Sequence, residues 1–220
     1  MRLVSVNVGL PREVAWKGRS VSTGIFKEPV QGRVMLRRLN LDGDRQADLS
    51  VHGGADKAVY AYPAEHYNYW RDELAGMEMP FGPVGMFGEN FTTEGLVEDA
   101  VNIGDRFRIG AAELVVTQPR LPCYKLGLKF GRDDMVKRFL ASGRTGFYFS
   151  VFREGEVEPG DAVALIDRDP NRVAVPDITR LYVSKRYSPA EVETLHRATR
   201  VQALPESWRN YFLERLEKLG

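Results

Sequence analysis

Residues 101–127, VNIGDRFRIGAAELVVTQPRLPCYKLG, show how this chain is built. Short β-branched and aromatic segments alternate with turns at Gly104 and Gly110, which is typical of antiparallel strands joined by tight connections. The last strand runs directly into residues 117–127, which contain the only cysteine of the chain. The pattern predicts strands at residues 101–103, 106–109 and 113–117.

That cysteine, Cys123, lies in a stiff and basic segment. Pro119 and Pro122 precede it, and each fixes its own φ and pushes the residue before it towards an extended conformation. Arg120 and Lys125 would favour the thiolate if both lie close to the sulfur. A thiolate in such surroundings suits nucleophilic attack or binding of a soft metal. The alternative is a small buried hydrophobic residue, and the residues alone leave these options open.

The rest of the N-terminal three quarters is also rich in short strands, with two amphipathic helical segments among them. The fold class predicted is therefore mainly β with helices, an α+β protein. The predicted strands cover residues 3–8, 14–16, 20–26, 33–40, 58–62, 147–153 and 162–166, and the predicted helices cover residues 64–74 and 132–141.

A charged, proline-containing segment at residues 167–171 predicts a boundary between two domains. Beyond it, Ser188, Pro189 and Glu191 form a capped helix start, and a second helix is predicted from about residue 206. We therefore predict domains at residues 1–168 and 175–220. About fifty residues bury little apolar surface on their own, so the second domain should pack against the first or against a partner.

Composition excludes several classes of function. The 220 residues carry a net charge of +1, which gives no overall field to attract nucleic acid or an anionic membrane. One cysteine excludes an internal disulfide. No apolar run approaches the roughly 18 residues of a membrane span, and the N-terminus lacks the apolar core of a signal peptide. These features predict a cytoplasmic protein without nucleic-acid or membrane partners.

Two other stretches carry polar side chains that need an explanation. Lys27 follows a predicted strand, where spacing alone favours a solvated surface lysine. Residues 44–52 place polar side chains on one face of an extended segment, which indicates either a hydrogen-bond network, the favoured interpretation, or a hard-metal site. The side chains on this face are Asp44, Gln46, Asp48, Ser50 and His52. Residues 82–88 contain several glycines but match no phosphate-binding pattern, and we interpret them as a loop.

Several short motifs, in this order, resemble the MOSC family, named after the C-terminal domain of molybdenum-cofactor sulfurases, and in particular its YiiM-type members. The resemblance covers nearly the whole chain, and the segment from about residue 175 resembles their small three-helix domain. The motifs are GDRQAD at 43–48, HGGADKAV at 52–59, YPAEHY at 62–67, FGENFT at 87–92, NIGD at 102–105 and QPRLPC at 118–123.

The resemblance implies a MOSC β-barrel that binds molybdenum cofactor, with Cys123 as the ligand to molybdenum and the one catalytic residue. Arg120 and Lys125 are expected to hold the pterin phosphate or to neutralise an anionic metal centre. Lys27 and Asn90 fall in segments that the family retains. The residues assigned to cofactor binding are Lys27, His52, Asn90, Arg120 and Lys125.

The resemblance also implies an activity. YiiM-type proteins are associated with reduction of small N-hydroxylated compounds such as 6-hydroxylaminopurine, using electrons from a separate flavoprotein. The alternative is a carrier of molybdenum cofactor or sulfur, in which Cys123 handles its cargo without turnover.

Overall fold

The computed structural model describes residues 1–47, 53–76 and 84–219. Within these ranges it contains twelve strands and six α-helices. The strands are β1 Arg2–Val8, β2 Arg12–Trp16, β3 Arg19–Thr23, β4 Glu28–Val30, β5 Val34–Leu36, β6 Val59–Pro63, β7 Phe91–Glu94, β8 Arg106–Ile109, β9 Ala112–Pro119, β10 Phe147–Arg153, β11 Gly155–Val157 and β12 Val163–Asp167. The helices are α1 His66–Glu73, α2 Tyr124–Phe130, α3 Met135–Ser142, α4 Val175–Val183, α5 Pro189–Arg200 and α6 Glu206–Glu217.

One eight-stranded sheet, in the order β12-β8-β9-β10-β6-β7-β1-β4, forms the body of the protein. Its ladders are antiparallel except for the parallel pair β6 and β7. The ladders of the described strands do not form a closed ring, but β1 also bonds to the start of β12. The Leu3 N–H donates to the Asp161 carbonyl at 2.9 Å, and the Val163 N–H donates to the Met1 carbonyl at 3.0 Å. The sheet therefore curls back on itself around an apolar interior.

That interior and the C-terminal helices share one hydrophobic core, which we call the main core. Leu114 and Phe149 of the sheet are fully buried in it, and so are Ile178, Leu195 and Phe212 of the three terminal helices. The prediction that the terminal segment packs against the β-rich part is confirmed. The mixed fold with a large sheet followed by helices is confirmed as well.

A second cluster, which we call the aromatic cluster, lies between the sheet and helices α1, α2 and α3. Its rings include several with polar atoms, and they pack at centroid distances such as 4.6 Å between Tyr62 and Phe87. The members are Tyr60, Tyr62, Tyr67, Trp70, Leu74, Met86, Phe87, Leu126, Phe130, Met135 and Phe139.

Several predicted elements differ from those observed. Strands at residues 106–109 and 147–153 are confirmed, whereas the strand at 33–40 is limited to β5 because residues 37–40 form a turn closed by Arg37 N–H and Asn40 O at 2.9 Å. The predicted strand at 101–103 is wrong. The buried Asp105 carboxylate accepts the Asn102 N–H at 3.0 Å and bends this segment into a turn.

Four short elements were not predicted: β4, β7, β11 and α2. Helix α2 matters most because it begins directly after Cys123. No helix in the described part of the chain has the length and apolar character that crossing a membrane requires.

Candidate functional site

Five of the six predicted site residues line one open cleft, which encloses about 720 Å³ with its mouth included. The cleft lies where the segment after β3, the loop at 44–47, the start of β6 and the segment after β9 meet. The sixth residue, His52, lies outside the described residues. The five residues that the fold brings together are Lys27, Asn90, Arg120, Cys123 and Lys125.

The cleft wall needs glycine where two segments approach closely. Gly88 has φ +81°, and a Cβ at this position would lie 2.7 Å from Ile25 Cγ1. Any larger residue would combine backbone strain with a steric clash. The loop interpretation of residues 82–88 therefore holds for its described part, residues 84–88, and this loop packs against the segment that carries Lys27.

Cys123 is half-buried and lies at the point where β9 has ended and α2 begins. Its backbone is extended, with φ −121° and ψ 178°, and its carbonyl accepts the Leu126 N–H at 2.9 Å. Arg120, Lys57 and Tyr148 lie close enough to interact electrostatically with the thiol group. The surroundings thus contain two cations, one predicted from sequence and one not.

Arg120 is a buried guanidinium held by aromatic rings. It is 6% exposed and lies over the rings of Tyr60 at 4.6 Å and Phe139 at 5.2 Å. Its Nη1 donates to the Tyr60 hydroxyl at 3.3 Å, and burial raises the pKa of Tyr60, which keeps that phenol neutral. Among the described residues no carboxylate lies within ion-pairing distance of Arg120. A buried cation with neutral partners is well suited to meet an anionic ligand.

Lys27 is buried rather than solvated, so the surface-lysine interpretation is wrong. Its side chain is 10% exposed, and its Nζ donates to the Asp44 carboxylate, whose side chain is 3% exposed. Asp44 also accepts the Gly9 N–H at 3.0 Å and the Asn90 Nδ2–H at 2.9 Å. Burial lowers the pKa of Lys27, and the neighbouring Asp44 carboxylate opposes that shift.

Asn90 connects three segments of the chain at the edge of the cleft. Besides its bond to Asp44, its Oδ1 accepts the Tyr60 N–H at 3.1 Å and its Nδ2 donates to the Asn7 carbonyl at 3.3 Å. These bonds join β1, β6 and the loop that carries Asp44. Asn90 therefore holds the cleft in shape, whether or not it also contacts a ligand.

The hydrogen-bond network expected at residues 44–52 is present in the described part of that stretch. The Gln46 side chain donates to the Lys57 carbonyl at 2.9 Å and accepts the Gly54 N–H at 2.9 Å. Residues 48–52 lie outside the described residues. Among the described residues no group of three or more His, Cys, Asp or Glu side chains is placed to hold a metal ion.

Positive charge dominates the cleft, although the whole chain is nearly neutral. Among the described residues, five cationic side chains and one carboxylate, that of Asp44, line it. A concave wall with one sign of charge concentrates the field and favours anions. The five cations are Lys27, Arg45, Lys57, Arg120 and Lys125. Sequence reasoning missed Arg45 and Lys57, although both lie in the motifs at 43–48 and 52–59.

Behind the cleft, Glu89 is a fully buried carboxylate satisfied by neutral donors. It accepts the backbone N–H groups of Gly85 at 2.8 Å and Phe87 at 2.9 Å, and the hydroxyl groups of Tyr67 and Thr92. Because these donors fix the loop at 84–92, the carboxylate stabilises the cleft wall from behind.

Lys129 of α2 is a second buried amine that sequence reasoning missed. It is 4% exposed, and its Nζ donates to the carbonyls of Ile25 at 3.1 Å and Gly85 at 2.6 Å. Burial lowers the pKa of Lys129 to about 7, with Glu89 opposing the shift and nearby cations adding to it. Lys129 therefore ties the helix after Cys123 to both walls of the cleft.

Comparison with known proteins gives two family matches. The model of the MOSC domain matches residues 48–164, and the model of the YiiM-like 3-alpha helix domain matches residues 187–219.

Three individual proteins illustrate the similarity. The chain is 42% identical to the uncharacterized protein YflK of Bacillus subtilis (strain 168), covering 99% of this chain and 95% of that one. The crystal structure of YiiM from Geobacillus stearothermophilus superposes with a TM-score of 0.78 at 35% identity, covering 98% of each chain. A protein of Gibberella moniliformis named reductase is 32% identical over 84% of this chain and 33% of its own length.

Proposed function

The chain belongs to the MOSC family, whose domain is associated with the molybdenum cofactor, and we propose that its cleft binds this cofactor with the Cys123 thiolate as the ligand to molybdenum. The observation that carries the proposal is a half-buried thiol beside a buried guanidinium, in a cleft whose described lining contains five cations and one carboxylate. A thiolate is a soft ligand that suits molybdenum, and an anionic pterin phosphate suits the surplus of positive charge.

Each site residue is assigned a role in cofactor binding according to its position. Arg120 and Lys125 flank Cys123 and are assigned to the phosphate or to the anionic metal centre. Lys27 supplies a further buried amine in the cleft wall, and Asn90 bonds to its partner Asp44. His52 is also proposed to contact the cofactor.

We further propose that the protein reduces small N-hydroxylated compounds such as 6-hydroxylaminopurine to amines. The reaction R–NHOH + 2e⁻ + 2H⁺ → R–NH₂ + H₂O breaks the N–O bond and needs an electron donor, which we propose to be a separate flavoprotein. When bound, the cofactor supplies the two-electron redox centre. The relative named reductase supports reduction as the class of chemistry.

A carrier role is the alternative, in which Cys123 holds the cofactor or a sulfur atom without turnover. The open mouth of the cleft and the partly exposed thiol favour it, since a cargo must be able to leave. The two functions share a binding site and differ in whether a substrate is converted.

The test of binding is Cys123→Ser, produced with the wild type in a host that makes the cofactor. A hydroxyl is a poor ligand for a soft metal, so we expect molybdenum measured by mass spectrometry to fall to background while the melting temperature stays within about 3 °C of the wild type. Leu121→Ile, which also lines the cleft but supplies no ligand, is the matched control and should retain molybdenum. Unchanged molybdenum in the serine variant would overturn the assignment.

The test of turnover uses the loaded wild type with an artificial reductant and 6-hydroxylaminopurine. We expect stoichiometric conversion to the amine, absent from Cys123→Ser. Stoichiometric molybdenum without conversion of any hydroxylamine would refute the reductase and leave the carrier.

A further inference from the structure

We infer that Asp44 is a positioning residue, which keeps Lys27 charged so that this lysine can hold an anionic group in the cleft. This role of Asp44 rests on one part of the proposed function, namely that the cleft binds an anion. A carboxylate in the wall of an anion site would, by its charge alone, repel the ligand.

Asp44 bonds to Lys27 and to two other segments at the cleft wall. Both residues line the cleft, and the Lys27 Nζ donates to Asp44 Oδ1. Asp44 is itself fixed, because Oδ1 also accepts the Gly9 N–H at 3.0 Å and Oδ2 accepts the Asn90 side chain at 2.9 Å. The Asp44 carboxylate is therefore held in place against the Lys27 Nζ by backbone and side-chain donors of two other segments.

Lys27 needs that charge because its surroundings disfavour protonation. Its side chain is 10% exposed, and burial lowers its pKa, with the Asp44 carboxylate as the largest opposing influence and Glu89 as a smaller one. Lys129 lies close enough to Lys27 for the two amines to repel each other when both are charged. The other cations that line the cleft add positive charge around Lys27; they are Arg45, Lys57, Arg120 and Lys125. Without Asp44 the lysine would lose its proton at a lower pH and become a neutral amine.

The experiment measures binding of sulfate, which stays a dianion throughout, to the full chain purified from a host that cannot make the cofactor. Dissociation constants are determined between pH 6 and pH 9 by following amide signals in NMR titrations. The variants are Asp44→Asn, Lys27→Met and the double variant. Sulfate binding requires neither molybdenum nor turnover, so this result is independent of whether the protein is a reductase or a carrier.

In the wild type, affinity should fall as pH rises through the Lys27 pKa. In Asp44→Asn that fall should occur at lower pH. On its alkaline side the variant should bind up to about tenfold more weakly than wild type, which is the factor that a pKa lower by about one unit produces. At the acidic end of the range, where protonation of Lys27 is most favoured in both proteins, the variant should bind equally or more tightly. In the Lys27→Met background, Asp44→Asn should no longer shift the pH profile.

Three outcomes would overturn the inference. Tighter sulfate binding by Asp44→Asn at every pH would show that the carboxylate only repels anions. A loss of the same size at every pH would show that Asp44 only maintains the fold of the loop. Absence of sulfate binding by the wild type would show that the cleft does not hold a dianion at all.

Discussion

The main core and the aromatic cluster differ in composition and in what they hold in place. The main core is mostly aliphatic and joins the sheet to the terminal helices through side chains such as Val116, Ile178 and Leu195. The aromatic cluster is built from rings, several of which carry a polar atom that bonds to a neighbour. Trp70 Nε1, for example, donates to the Tyr62 hydroxyl at 2.6 Å.

The difference shows which part of the molecule shapes the cleft. Arg120 lies over two rings of the aromatic cluster, Tyr60 and Phe139, and Leu126 and Phe130 of the helix after Cys123 belong to it. The main core supplies apolar burial, which is non-directional and stabilises the fold as a whole. The aromatic cluster adds directional contacts, and these position Arg120.

The largest effects should come from truncating one large ring in each region, Phe212→Ala in the main core and Phe87→Ala in the aromatic cluster. Both rings are fully buried, so each variant should lose roughly 3–5 kcal/mol of unfolding free energy in urea denaturation. Only Phe87→Ala should also weaken sulfate binding or molybdenum retention, because this ring supports Phe130 of α2 at 5.5 Å. Equal binding losses in both variants would show that the two regions do not divide their tasks in this way.

The same division explains what the sequence could predict. Strands such as β8 and β10 follow from alternating apolar residues and flanking glycines, because burial of one face is a local pattern. The start of α5 follows from the cap at Ser188, which accepts the Glu191 N–H as predicted. The periodicity of apolar residues therefore predicts most of the elements that form the main core.

Periodicity does not predict the cleft, because the contacts of the cleft join residues that are distant in sequence. Asp44 reaches Asn90 across 46 positions, and Lys129 reaches Gly85 across 44. No local pattern distinguishes a buried lysine from a solvated one, and the short helix α2, preceded by two prolines, has no strong start signal. Cys123, Arg120 and Lys125 were candidates from the residues alone, whereas the resemblance was needed to favour a functional role for Lys27 and Asn90.

The buried amine of Lys129, behind the cleft, should make the free energy of unfolding depend on pH. The folded pKa of Lys129, about 7, lies below the ordinary value of 10.5, so between these values the unfolded chain binds more protons than the folded chain. Wild-type stability should therefore rise with pH relative to Lys129→Met, by up to about 1.4 kcal/mol per pH unit above pH 7. Urea denaturation at pH 7, 8 and 9 measures the difference.

A control for this experiment is Lys137→Met, a substitution of another lysine on the neighbouring helix α3, which should show no such pH dependence. A constant difference between wild type and Lys129→Met across pH would mean that Lys129 stays charged in the folded protein. In that case its contribution to stability would come from the contacts of the charged amine, among them the two carbonyls to which it donates.

The smallest effect is expected where the main core meets the strand that leads to Cys123. Trp208 of α6 donates its Nε1–H to Gln118 Oε1 at 2.9 Å, and Gln118 is 5% exposed on β9. Trp208→Phe removes this donor and keeps most of the ring, so we expect a loss of roughly 1–2 kcal/mol in urea denaturation, because a buried acceptor is left unsatisfied. Gln118 lies only two positions before Arg120, yet Arg120 is held by the aromatic cluster, so molybdenum retention should not change. A loss of molybdenum in Trp208→Phe at unchanged stability would instead show that the terminal helices set the position of the Cys123 segment, and the separation of the two regions would fail at this contact.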